Sequence, residues 1–459
     1  MNSLKNIFVL SLFVALFSCQ KEASLQLEEL PIEEPIVILP ENKLPQVYIQ
    51  TNGAEIVDEP KVDAQMIISV NDVVDYDGAI GIEIRGSSSQ GFPKKQFGFE
   101  TRDAANEDLN VSLLGFPEEE DWILYAPYSD KSLMRNVLMY DLSREIGRYA
   151  SRAKFVEVTI NEAYNGVYVL LEKLKRDNNR IDINKLKADE NSGDNLTGGY
   201  ILKVDKAGGA DEMLYTTYNS IPSAHDPMNA ANGQKINFLY DTPDEEDITS
   251  EQRVYISNYM ASFESALAGD NFTDPTTGYA TYIDTQSFIE FFLLNELSNN
   301  VDGYRLSTWL TKDKNEKLKM GPIWDFNLAF GNADYCNGSA TNVWTYKFNE
   351  RCSGDFWLIP FWWERLMEDP AFVSELKSRW SELRSGAFSN TAILQKIDTY
   401  TETLTSSGGI QDNFDRWPVL GEYVWPNNFV GNTYSEERNY LINWINDRVG
   451  WMDGAIAGL

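Results

Sequence analysis

Residues 299–332, NNVDGYRLSTWLTKDKNEKLKMGPIWDFNLAFGN, decide how the rest of the chain is read. RLSTWLT is rich in β-branched and aromatic residues, KDKNE is a polar turn, and KLKMGPIW returns as a second strand ending at Asp325. Asp302 sits in the loop before the first strand. A hairpin brings its ends together, so Asp302 and Asp325 are predicted to lie within a few ångströms of each other. Two facing carboxylates need a compensating cation, or one of them holds a proton. Aspartates at hairpin ends also cap turns, and spacing alone does not separate the two readings. Upstream, TQSFIEFFLLNELSNN has the length and apolar pattern of a buried helix.

Outward from this stretch the pattern divides in two. LPQVYIQT, MIISVND, AIGIEIRG and FVEVTINEAYNGVYVLLEKL read as strands, the last as two strands around an Asn-Gly-containing turn. One helix interrupts them, from about Lys131 to Gly147, with Asp130 as its cap. GGYILKVDKAGG and INFLYDTPDEED form a further strand pair. Beyond Lys173 the chain becomes largely helical. Thr249-Ser250-Glu251-Gln252 and Thr433-Tyr434-Ser435-Glu436 are capping boxes, and Asp369-Pro370 separates two helices. The fold class is therefore α+β, β-rich first and helical after.

Composition limits the function. The net charge of −31 disfavours nucleic acid and anionic lipid as partners. A single histidine, His225, rules out His-rich metal sites and leaves Ser-His-Asp chemistry without a nearby nucleophile motif. The first residues form a processing signal: Lys5, an apolar run from Ile7 to Phe17, then Ser18-Cys19. Leu16-Phe17-Ser18-Cys19 resembles a bacterial lipobox, with residues 1–18 removed and Cys19 receiving lipid. Gln20-Lys21-Glu22 resembles the surface-export signal of Bacteroidetes lipoproteins. Residues 19–44 read as an acidic, proline-bearing tether. The lipid is the membrane attachment, because no other stretch approaches the ~20 apolar residues of a span. The expected location is the outer membrane, at the cell surface. Cys336 and Cys352 flank a loop rich in Gly, Asn and Trp and are read as a disulfide.

RGSSSQGFPKK places a Gly/Ser loop, with Ser87, Ser88 and Ser89, beside Lys94 and Lys95. Such a loop can cover phosphates with backbone N–H groups and meet them with an ammonium. An ordinary hairpin turn has the same composition.

With these segments placed, the chain resembles the spore-coat protein H (CotH) kinase-like family from Leu44 to Met452. The matching pieces, in the family's order, are RGSSSQGFPKK, LMRNVLMYDL, VTINEAYNGVYVLLEKLKRDNNRIDI, GGYILKVD, NVDGYRLSTWL and GPIWDFNLAFG. The resemblance implies an atypical protein-kinase fold with a β-rich N-lobe (45–172) and a helical C-lobe (173–459), Glu172 falling where a kinase hinge would be. It implies Asp302 as the catalytic-loop acid, Asp325 as the acid holding Mg²⁺ or Mn²⁺, and Lys94 or Lys95 on the phosphates of ATP. The acceptor would be a Ser/Thr-bearing protein. Two departures weaken metal ligation: Ser307 stands where many members have Asn, and Asn327 where many have Asp. A second function stays open, a non-catalytic surface lipoprotein for adhesion or glycan binding. Its warrant is the aromatic excess, with Trp344, Trp357, Trp362 and Trp363 near the disulfide loop.

Overall fold

The computed structural model describes residues 43–207 and 215–459. The signal peptide, Cys19 and nearly all of the tether lie outside the described residues.

Seven strands close into a barrel in the order β1-β2-β3-β4-β5-β7-β6. They are β1 (Gln46–Gln50), β2 (Val62–Val70), β3 (Val73–Arg85), β4 (Gln96–Arg102), β5 (Asp121–Tyr125), β6 (Ala153–Ile160) and β7 (Ala163–Glu172). Closure comes from β1, which pairs antiparallel with β2 and parallel with β6, so no strand edge is left open. Alternation sets the inside: Ala64, Met66 and Ile68 of β2 are buried while the residues between them are exposed. They pack with Ile82, Phe99, Trp122 and Leu170 in the barrel core.

The β-rich N-terminal region is thus as expected, but it is a closed barrel, and a kinase-like arrangement of two lobes is not what these strands by themselves establish. Closure depends on the long-range β1–β6 pairing, which no local pattern announces. The turns are sharp for a local reason. Asn71-Asp72 and Asn161-Glu162 both adopt positive φ, as two-residue hairpin turns matching strand twist require. The Asn165-Gly166 pair expected at the second turn lies inside β7 instead. There the register shifts, and Gly166, at φ +98°, lets Asn413 and Trp417 approach the strand.

Between β5 and β6 runs α1 (Arg135–Glu145). It starts four residues later than expected because Leu133 has positive φ. Asp130 is buried and bonds Arg135, through its backbone N–H at 2.8 Å and its guanidinium at 2.5 Å.

The C-terminal region carries its own antiparallel sheet. β8 (Tyr200–Val204), β9 (Ser220–Pro222), β10 (Asn237–Thr242), β11 (Thr308–Lys312) and β12 (Leu318–Met320) are ordered β12-β11-β8-β10-β9. Helices surround it: α2 (Ser250–Ala268), α3 (Thr285–Ser298), α4 (Phe348–Arg351), α5 (Trp362–Leu366), α6 (Pro370–Arg384), α7 (Asn390–Ser406), α8 (Gly409–Arg416) and α9 (Tyr434–Ala457). The Thr249 capping box closes in both directions. At Thr433 the hydroxyl caps Glu436, while the Glu436 carboxylate returns to the N–H of Asn432. α3 is apolar nearly all round and is buried from Ser287 to Ser298, as its sequence requires. Among the described residues no helix is long and apolar enough to cross a membrane.

Candidate active site

α3 delivers the first acid. It begins at Asp284, whose side chain accepts the N–H of Ser287, and ends at Asn299 in the left-handed conformation. The Asn299 amide donates to the carbonyls of Asn337, Gly338 and Ala340, fixing the direction in which the chain leaves. Three residues on, Asp302 faces a cleft of about 520 Å³. Its Oδ1 accepts from the Arg305 guanidinium at 2.6 Å and from the Tyr335 hydroxyl at 3.2 Å.

The hairpin delivers the second acid, with a correction. β12 stops at Met320, so Asp325 is not a strand end but follows an extended run through Gly321 and Pro322. It has positive φ (63°), a conformation short polar side chains tolerate. Helix α1 holds it there. The Tyr140 hydroxyl accepts the N–H of Asp325 at 3.3 Å, Asn136 Oδ1 accepts that of Phe326 at 2.6 Å, and Trp324 stacks on the Tyr140 ring.

A third carboxylate, Asp205, also lines the cleft. It follows β8, which pairs with β11, and it accepts N–H bonds from Lys206 and Ser307. Burial raises its pKa. Asp325 is pushed up to about 7, first by burial and then by Asp302 and Asp205, with Arg85 and Lys206 opposing. No role was assigned to Asp205 from the sequence, although the motif GGYILKVD ends on it. A strand terminating in an acid between two lysines was the available signal.

The other sequence candidates divide. Ser87, Ser88, Ser89 and Ser307 line the cleft. The serine loop is tight: Gly86 has φ +106°, and a Cβ there would lie 2.1 Å from Ser89 Oγ. Lys94 and Lys95 are not brought to it. Lys94 is buried, and its ammonium donates to the Val167 carbonyl and to Asn413 Oδ1 (2.8 Å). Lys95 donates back to the Gln90 carbonyl. The cations that do line the cleft are Arg85, Lys203, Lys206 and Arg305. Arg85 arrives as the last residue of β3, and Lys206 Nζ stands 3.5 Å from both Ser87 Oγ and Ser88 Oγ. Glu172 is also elsewhere, fully buried with Arg152 at 2.6 Å and bonded by Tyr149. The sequence offered the lysines by proximity along the chain, whereas strand direction decides which side chains reach the cleft.

Cys336 and Cys352 are joined in a disulfide, Cα–Cα 5.9 Å. The aromatic warrant for a non-catalytic ligand surface shrinks. Trp362 and Trp363 are 1 % exposed and belong to the core, Trp344 packs against the same core, and only Trp357 of the four lines the cleft.

The donor set fits a hard divalent cation. Asp325, Asp205, Asn327 and Ser307 all line the cleft and all carry side-chain oxygen, the donor type such an ion takes. A tighter acidic group, Glu119-Glu120-Asp121, lies apart from it, and Lys175 bonds all three at 2.6, 2.6 and 2.9 Å. Lys173 also pairs with Asp121 and Arg180 with Glu119, so the three carboxylates already meet three cations.

No curated protein matches the chain. The family model described as CotH kinase protein matches residues 82–452, a span running from the middle of β3 into α9 and containing every cleft residue named above. The chain belongs to the CotH kinase protein family.

Proposed function

We propose that the protein transfers the γ-phosphoryl group of ATP to a Ser/Thr hydroxyl of an exported or surface protein, in a metal-dependent reaction. The observation that carries this is the half-buried Asp325 carboxyl facing Asp302 and Asp205 across a cleft that also holds Arg85 and Lys206. In such a cleft, carboxylates placed for a divalent cation stand beside cations placed for phosphates.

Each residue then has a role. Asp325 and Asp205 would hold the metal ion, with Asn327 and Ser307 as weaker neutral ligands. Bound there, it would neutralise phosphate charge as the transfer proceeds. Arg85, Lys206 and the 86–89 loop would meet the phosphates. Arg305 and Tyr335 both bond Asp302 at Oδ1, so Oδ2 is the atom for the acceptor hydroxyl. The hydroxyl proton passes to Asp302, its oxygen bonds the γ-phosphorus, and the bond to the β–γ bridging oxygen breaks to release ADP. Positioning and fixed charge supply most of the acceleration.

The same reading places the protein outside the cytoplasm, held to the outer membrane by lipid on Cys19. The test is transfer of labelled γ-phosphate to Ser/Thr in candidate exported proteins. Wild type should label an acceptor, and Asp302→Asn should lose at least a hundredfold in rate while still binding nucleotide, the loss typical of a missing general base. Labelling undiminished in Asp302→Asn would remove that residue from the mechanism.

A further inference from the structure

Arg305 is 2 % exposed, and each of its three guanidinium nitrogens bonds a protein atom. Nε donates to the Val301 carbonyl at 2.9 Å. One terminal nitrogen reaches Asp355 Oδ1 at 3.1 Å and the Trp357 carbonyl at 3.2 Å, and the other reaches Asp302 at 2.6 Å. The Phe348 ring covers its face at 4.2 Å. A cation so placed is fixed in position.

The cleft lining is balanced around it. Four carboxylates (Asp205, Asp302, Asp325, Asp355) face four cations (Arg85, Lys203, Lys206, Arg305). Of the carboxylates, Asp302 and Asp355 are both bonded to Arg305, so the pair on that side shares one countercharge. Asp325 and Asp205 are the carboxylates for which the structure shows no ion pair within the cleft. Ser307 and Asn327, which also line the cleft, are neutral.

We infer that Arg305 stands in for a second divalent cation, so that the cleft takes one metal ion with its nucleotide where a two-metal site would take two. The inference rests on the nucleotide-binding reading above and adds a stoichiometry to it. Arg305 is a positioning residue, since each of its guanidinium nitrogens is already bonded to a protein atom and it acts on Asp302 and through its fixed charge. Removing it would leave Asp302 and Asp355 as an uncompensated pair of oxygen ligands, which is what a hard cation seeks.

The test counts Mn²⁺ bound to the full chain by electron paramagnetic resonance, at saturating β,γ-imido analogue of ATP. Wild type should hold one Mn²⁺ per chain. Arg305→Lys, which keeps the charge, should also hold one. Arg305→Met should take up a second, and its melting temperature should rise more steeply with Mn²⁺ than that of wild type. Two ions per wild-type chain would overturn the inference, as would a single ion in a folded Arg305→Met. If Arg305→Met does not fold, the wild-type count decides alone. No Mn²⁺ bound to wild type would overturn the nucleotide reading and this inference with it, which distinguishes the two failures.

Discussion

Replacing Asp325 by Asn isolates the charge at the centre of the cleft. Burial, then Asp302 and Asp205, raise this carboxyl from 3.8 to about 7 in the folded protein. Because the folded value lies above the unfolded one, its contribution to stability is full below about pH 4 and is lost as pH rises through about 7. A rise of that size corresponds to about 4 kcal/mol against the ionised form. Water in the cleft screens the neighbouring charges, so a realistic penalty is about 2 kcal/mol. Asn has nearly the same shape and no charge. In EDTA at pH 8, Asp325→Asn should therefore be more stable than wild type, melting about 2–3 °C higher for a chain of this length. The gain should shrink as pH falls from 7 and vanish near pH 4. Scanning calorimetry from pH 4 to 8 reads this directly. With Mg-ATP the order should reverse, because wild type gains stability by mass action and the variant has lost its main metal ligand. An Asp325→Asn variant that melts lower than wild type at pH 8 in EDTA, or a gain that ignores pH, would refute the reasoning.

Lys206→Ala should weaken Mg-ATP binding about tenfold, on the order of 1.5 kcal/mol for a charge-assisted contact, whereas Lys94→Met should leave nucleotide affinity unchanged. Lys94→Met should instead lose about 1–3 kcal/mol of stability, by taking away the Lys94 donor to the Val167 carbonyl and one of the two donors to Asn413 Oδ1, readable by urea denaturation. Ser307→Asn should tighten Mn²⁺ several-fold in calorimetry, since it offers an amide oxygen at a positive φ (46°) that Asn tolerates well. Cys19→Ser should move the protein from the membrane fraction to the soluble fraction, and an unchanged partition would count against the lipid anchor.

What the sequence made legible was local. The Thr249 box, the buried α3 and the β11–β12 hairpin each follow from spacing within about twenty residues; the box and α3 are where their patterns put them, and the hairpin forms with its second strand cut short at Met320. Asp302 and Asp325 were legible because a hairpin joins them. Barrel closure was not, because β1 meets β6 across more than a hundred residues of chain. Asp205 was missed for a related reason. It reaches the cleft only because β8 pairs with β11, and that register is set by burial on both strands, every β11 residue being buried. Lys94 shows the opposite failure. Its position beside the serine loop suggested phosphate binding, but the side chain turns inward to satisfy a strand carbonyl and an amide on α8. Arg85, at the end of β3, carries charge to the cleft instead.

The most direct test of the account is a calorimetric titration of the wild-type chain with ATP in the presence of Mg²⁺, repeated with Mn²⁺ and with EDTA. Metal-dependent binding of one nucleotide per chain, kept by Asp302→Asn and lost by Asp325→Asn, is the predicted result. No heat with any nucleotide in either metal would contradict it, leaving the protein a family fold without the chemistry.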